Sequence, residues 1–130
     1  MTRTFLRSKI HRATVTAADV DYIGSITLDP RLMLAAGLLP GEQVDVLNCS
    51  NGNRLTSYCI TGRSGSGEVR VNGAAALLCS PGDIVLIVAY AQLQEDEIPG
   101  HKALTVFVNG RNRVIRARRT GTALKGKKRG

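Results

Sequence analysis

The chain has 130 residues and a mass of 13.9 kDa, which is long enough for one domain with its own hydrophobic core. Aromatic residues make up only 4% of it, without Trp, which argues against the stacking surfaces that bind single-stranded nucleic acid, and its apolar runs are too short to span a bilayer. The formal net charge of +8 is concentrated at the C-terminal end, where the last 15 residues hold seven of the 18 basic side chains and no acidic one.

Short strands separated by turns are predicted along most of the chain. Alternating apolar residues indicate strands at 5–15, 26–28, 43–49, 54–61, 68–72, 84–91, 104–108 and 114–116. Asp29 and Pro30 are typical of a helix N-terminus and Gly37 of a helix end, so a helix of about two turns is predicted between them. A second short helix is predicted at 74–79. Many short strands with few helices favour a closed β-barrel.

The C-terminal segment 117–130 is predicted to be a disordered basic tail, because it is charged and has too few apolar residues to bury. The folded domain is expected to cover residues 1–116. An arm that binds nucleic acid or a partner protein is the alternative reading of this tail.

No secretory signal is expected, because the basic residues near the N-terminus are not followed by an apolar run, and the protein is expected to be cytoplasmic with no membrane association. Cys49, Cys59 and Cys79 are expected to be small buried hydrophobes rather than disulfide partners. His11 and His101 do not cluster with them, so no metal site is expected.

The Gly24-Ser25 pair lies between an acidic loop and a short apolar strand. A Gly-Ser pair alone is usually a turn, but this one is accompanied by many polar and basic residues that are candidates for a site. These are Lys9, His11, Arg12, Tyr22, Arg54, Ser57, Tyr58 and Asn72. With segments 51–54 and 71–76, the segment 9–29 resembles the pyruvoyl-dependent aspartate 1-decarboxylase family, and the resemblance covers roughly residues 1–115.

This resemblance implies a mainly β fold, a double-psi β-barrel with short helices in a single domain. It also implies a homotetramer with active sites between subunits, and the conversion of L-aspartate to β-alanine and CO2 for pantothenate and coenzyme A biosynthesis. The chain would cleave itself between Gly24 and Ser25, with the possible help of a maturation factor. The hydroxyl of Ser25 would attack the carbonyl of Gly24, and elimination and hydrolysis would turn Ser25 into a covalent pyruvoyl group.

Roles for individual side chains also follow from the resemblance. Arg54 is expected to bind the side-chain carboxylate of the substrate in a bidentate fork, and Lys9 to add positive field. Tyr58 is expected to supply the proton that replaces CO2. Ser57 stands where the family usually has Thr and would polarise the Gly24 carbonyl.

A further set is expected to line the pyruvoyl group and the substrate: Asn72, Gly73, Ala74 and Ala75. His11 is either a supporting residue behind the site or an ordinary strand histidine, and the sequence favours neither. Two other functions are compatible with parts of the pattern. One is a small β-barrel nucleic-acid-binding module that uses the basic tail, and the other is a hydrolase with a Ser25/Lys9 nucleophile pair. The glycine-rich segment 62–67 lacks the Lys-Ser/Thr pair of a phosphate-binding loop.

Overall fold

A computed structural model describes residues 1–124 of the protein, which form nine strands and two short helices. The strands are β1 (Thr2–Thr14), β2 (Ala17–Asp19), β3 (Ser25–Leu28), β4 (Gln43–Asn48), β5 (Arg54–Thr61), β6 (Val69–Asn72), β7 (Ile84–Gln94), β8 (Lys102–Val108) and β9 (Val114–Gly121). The helices are α1 (Pro30–Ala36) and a 3₁₀ helix (Gly73–Leu78). Within the described residues, no helix is long and apolar enough to cross a membrane.

All nine strands belong to one sheet, in the order β2-β6-β3-β5-β4-β7-β1-β8-β9. Strand β1 pairs antiparallel with β7 and parallel with β8, while β3 pairs parallel with β5 and antiparallel with β6. The prediction of a mainly β fold is therefore confirmed, and the arrangement is compatible with a double-psi β-barrel. Only the short strand β2 was not predicted.

One face of the sheet forms the hydrophobic core. The side chains of Val106, Ile10, Ile87 and Val46 are neighbours in register across four strands, and each is almost fully buried. Because side chains alternate between the two faces of a strand, the residues between them point to the opposite face. This opposite side, called the outer face below, carries most of the polar residues singled out in the sequence.

The predicted helix α1 is confirmed, together with both of its caps. Asp29 accepts a hydrogen bond from the N–H of Arg31 at 2.9 Å, and Gly37 ends the helix with a φ of 68°. The same carboxylate accepts from the N–H groups of Gly65 at 3.1 Å and Gly67 at 2.8 Å. Burial alone would raise the pKa of Asp29, but these three N–H donors outweigh it and lower that pKa. Asp29 thus joins the glycine-rich loop to the helix.

The predicted end of the ordered domain at residue 116 is wrong, because β9 continues to Gly121. Every side chain of β9 is exposed, but its backbone is paired with β8 in register from Val114 to Gly121. Strand pairing satisfies backbone hydrogen bonds without burying side chains, and Phe107 of β8 adds a contact with the guanidinium of Arg116. Residues 125–130 of the predicted tail lie outside the described residues.

The prediction of three buried cysteines is confirmed for Cys59 and Cys79 and wrong for Cys49. Cys49 is exposed because it lies in the turn after β4 rather than in the strand. Burial raises the pKa of the other two thiols.

Candidate active site

Ser25 is the first residue of β3 and lies opposite Asn72 in the antiparallel pair with β6. Its side chain is only 1% exposed. The hydroxyl donates to the carbonyl oxygen of Ile23 at 3.2 Å and accepts from Nδ2 of Asn72 at 3.0 Å. These two hydrogen bonds fix the orientation of the Ser25 hydroxyl.

Asn72 is completely buried and connects two hydroxyl groups of β3. Its Nδ2 also donates to Oγ1 of Thr27 at 2.9 Å. Its Oδ1 has no hydrogen-bond partner within residues 1–124, which leaves a buried acceptor free beside Ser25. Sequence reasoning missed Thr27, although its position two residues after Ser25 places it on the same face of the strand.

Gly73 lies against the backbone of Gly24. It has a φ of +69°, and a Cβ at this position would lie 2.6 Å from the Cα of Gly24 and 3.0 Å from its nitrogen. Only glycine allows this close approach. At the start of the 3₁₀ helix, Ala74 is exposed and Ala75 packs partly against the core. The structure therefore brings together Gly24, Ser25, Asn72 and Gly73.

Strand β5 positions the predicted polar residues next to β3. The two strands are parallel, with Ile26 opposite Cys59, so continuing the register brings Gly24 level with Ser57 and Ser25 level with Tyr58. Cys59 points into the core, and alternation places Tyr58 on the outer face, where it is 40% exposed.

Arg54 is exposed at the start of β5, an even number of residues before Tyr58 and therefore on the same face. Its register partner is Leu47 of β4. Within residues 1–124, no hydrogen bond or ion pair joins Arg54 to the cluster around Ser25.

Lys9 is also on the outer face but on a distant strand. It is in register with Val88, Asp45 and Thr56 across β7, β4 and β5, and three strands separate β1 from β3. In the described part of the chain, Lys9 forms no ion pair and no hydrogen bond with the Ser25 cluster. Within one chain, Lys9 and Arg54 on the outer face are therefore separate from the cluster around Ser25.

His11 lies two residues after Lys9 on β1 and contacts the ring of Phe107 edge-on, with 5.4 Å between ring centroids. Burial lowers its pKa, and the positive charges of Lys9, Arg12 and Arg118 lower it further. Both effects favour the neutral form of the His11 imidazole. Nearby, Arg12 adopts a positive φ of 63°, which side-chain-bearing residues adopt rarely.

Comparison with known proteins agrees with this arrangement. The family model for aspartate decarboxylase matches residues 1–115. Aspartate 1-decarboxylase 1 of Frankia casuarinae is 54% identical over 114 residues, which cover 88% of this chain and 74% of that protein. This chain therefore belongs to the aspartate decarboxylase family.

Proposed function

We propose that this protein is a pyruvoyl-dependent aspartate 1-decarboxylase, which converts L-aspartate to β-alanine and CO2. The proposal places it in the cytoplasm, where β-alanine would enter pantothenate and coenzyme A biosynthesis. The single observation that carries it is the buried cluster of Ser25, Asn72, Gly24 and Gly73 in a member of this family. Family membership does not favour the alternative of a nucleic-acid-binding module.

The proposed first reaction is cleavage of the chain into residues 1–24 and 25–130. The Oγ of Ser25 attacks the carbonyl carbon of Gly24, the amide C–N bond breaks, and an ester replaces the amide. Loss of the Cα proton of residue 25 breaks the Cβ–O bond, which frees the carboxylate of Gly24 and leaves dehydroalanine. Water then replaces the nitrogen, giving the pyruvoyl group and ammonia.

The residues around Ser25 fit this reaction. Gly24 is exposed, and its carbonyl is not shielded by a side chain. Asn72 keeps the Ser25 hydroxyl beside the scissile bond, and rotation of that hydroxyl away from Ile23 would free it to attack, with its proton passing to the amide nitrogen that leaves the Gly24 carbonyl. Ser57 is level with Gly24 in the β3–β5 register and is the proposed donor to the oxygen that becomes negative during attack.

The residues also fit the pyruvoyl group and the substrate. When formed, the group would supply the electrophile and electron sink for loss of CO2, and Nδ2 of buried Asn72, which donates to the Ser25 hydroxyl in the intact chain, would be the donor to its carbonyl oxygen. Arg54 would bind the side-chain carboxylate that is retained, since binding the departing one would stabilise the ground state. Lys9 would add positive field, and Tyr58 would protonate the carbon that has lost CO2.

A homotetramer with active sites between subunits is part of the proposal. Lys9 and Arg54 do not reach the Ser25 cluster through any contact within residues 1–124, so a neighbouring subunit is proposed to bring the two groups together. Apolar side chains near the cleavage site support such a contact, because Tyr22, Ile23 and Leu77 are 49%, 76% and 76% exposed.

Intact mass spectrometry with a β-alanine assay tests this function. Purified protein should separate into two chains with time and should release β-alanine from L-aspartate, whereas Ser25→Ala should remain whole and inactive. A fully cleaved protein that does not decarboxylate L-aspartate would contradict the proposed substrate. A wild-type chain that stays intact alone but cleaves in cell extract would show that a maturation factor is needed, and one that stays intact in both would contradict the proposed cleavage.

A further inference from the structure

Two arginines of β9 lie in register with Lys9 and His11 of β1 across the intervening strand β8, on the outer face. Lys9 is opposite Thr105 of β8, and Thr105 is opposite Arg118. In the next row of the same face, His11 is opposite Phe107, and Phe107 is opposite Arg116. We call Arg116 and Arg118 the arginine pair; both lie beyond the matched residues 1–115.

The ring of Phe107 holds the arginine pair in place. The guanidinium carbons of Arg116 and Arg118 lie 4.3 and 5.5 Å from its centroid, within the range of a cation–π interaction. Within residues 1–124, no carboxylate lies at ion-pair distance from either one. Their positive charge is therefore not neutralised by a neighbouring acid and is available to an anion.

The electrostatic field of the basic side chains on the outer face extends across neighbouring strands. The positive charge of Arg118 is among the causes that lower the pKa of His11, two strands away. Adjacent strands are about 4.8 Å apart, so the backbones of Lys9 and Arg118 are about 10 Å apart. This distance is similar to the screening length of about 8 Å at physiological ionic strength. At low salt both charges therefore attract the same anion, whereas at high salt each charge acts only on an anion close to it.

We propose that the arginine pair attracts and positions the dicarboxylate substrate as it approaches Lys9. This inference rests on the proposed decarboxylase function. An anion near β1 would feel Lys9, Arg116 and Arg118 at once, and such focusing raises the local concentration of a charged substrate. The pair would act on substrate binding and not on the chemical step, which involves other residues.

A different reading is that the arginines only keep the exposed edge strand β9 from pairing with other sheets. Arg119 separates the two readings. It is an exposed residue of the same strand, but its register partner is Leu104, which packs against the core, so Arg119 points to the opposite face. Edge protection would use all three arginines alike, whereas substrate attraction needs only the two on the outer face.

The test compares fully cleaved wild type with Arg116→Gln/Arg118→Gln and with the matched control Arg119→Gln. At low ionic strength the double variant should have a KM for L-aspartate about threefold higher than wild type, with unchanged kcat. This difference should disappear in about 0.5 M salt, where the screening length is only a few ångströms. Inhibition by succinate, a dicarboxylate without an amine, should weaken by a similar factor. Arg119→Gln should behave as wild type.

Equal KM values for the double variant and wild type at low salt would overturn the inference, as would a similar rise in Arg119→Gln, which would reflect net charge alone. A lower kcat in the double variant would also overturn it, because the pair would then affect the chemistry or the fold. Failure of the proposed function is distinguishable, since wild type itself would then release no β-alanine.

Discussion

Replacing Gly73 by alanine tests whether its contact with Gly24 sets the geometry for cleavage. The backbone of residue 73 has a φ of +69°, where an L-residue costs about 1–2 kcal/mol. The new Cβ would also lie 2.6 Å from the Cα of Gly24, and real Cβ atoms essentially never come closer than 3.0 Å to a neighbour. Overpacking of this kind costs about 1–3 kcal/mol, so the free energy of unfolding should fall by about 2–5 kcal/mol in total.

The backbone of Gly24 is the part that must move, because the overlap involves its Cα and nitrogen and no flexible side chain. A displacement approaching 1 Å between a nucleophile and its target lowers a rate by roughly 10²-fold. We therefore expect Gly73→Ala to cleave about two orders of magnitude more slowly than wild type. Its thermal midpoint should be lower by about 6–25 °C, at about 3–5 °C per kcal/mol for a chain of this length.

Gly82→Ala is the matched control, because Gly82 has a φ of +93° but nothing within 4 Å of an added Cβ. It should lose about 1–2 kcal/mol of stability and cleave at the wild-type rate. A time course of intact mass, with thermal denaturation of each precursor, measures both effects. If Gly73→Ala cleaves as fast as Gly82→Ala, the close approach of Gly73 to Gly24 has no part in the reaction.

Four further outcomes are expected. Tyr58→Phe should still cleave but release β-alanine about 10²–10⁴-fold more slowly, as for loss of a positioned acid; a wild-type rate would assign the proton to another group. Arg54→Lys should cleave normally and lose most of its kcat/KM for L-aspartate, because an ammonium cannot form the fork; full activity would reject bidentate binding. Ending the chain after Arg116 should lower the thermal midpoint, because it removes most of β9, whereas ending it after residue 124 should not; equal midpoints would show that β9 adds no stability. The ionised Asp29 carboxylate, whose pKa is lowered in the fold, should stabilise the protein above about pH 4 and lose this effect as the pH falls through the folded-state pKa. Asp29→Asn should therefore be less stable in thermal denaturation at pH 7, by a margin that shrinks in acid, and a margin independent of pH would refute this account.

Local signals in the sequence predicted most of the fold. The Asp29-Pro30 start and the Gly37 end of α1 depend on short-range chemistry, which a sequence shows directly. Strand β9 was missed beyond residue 116 because its arginines give no apolar alternation, and only its partner β8 accounts for its order. Cys49 was misjudged because its exposure depends on where β4 ends, by a single residue.

The candidate site was predicted by resemblance more than by pattern. The hydrogen bonds of Asn72 to Ser25 and Thr27 depend on the pairing of β3 with β6, which is set by the whole sheet. The alternation of side chains along a strand alone predicts that the Lys9 side chain points away from the face of the buried Ile10. Alternation does not reveal the strand order, in which three strands separate β1 from β3. The separation of Lys9 from Ser25 could therefore not be predicted from the sequence.

The hydrogen bond between Ser25 and Asn72 spans 47 residues of chain. A ribosome must therefore make all of β3, β4, β5 and β6 before the surroundings of the Gly24–Ser25 bond exist. Because strand pairing over such distances is slow, a nascent or misfolded chain would keep this bond intact while a correctly paired one would lose it. The covalent state of the Gly24–Ser25 bond would then show, for each molecule, whether the sheet had formed correctly.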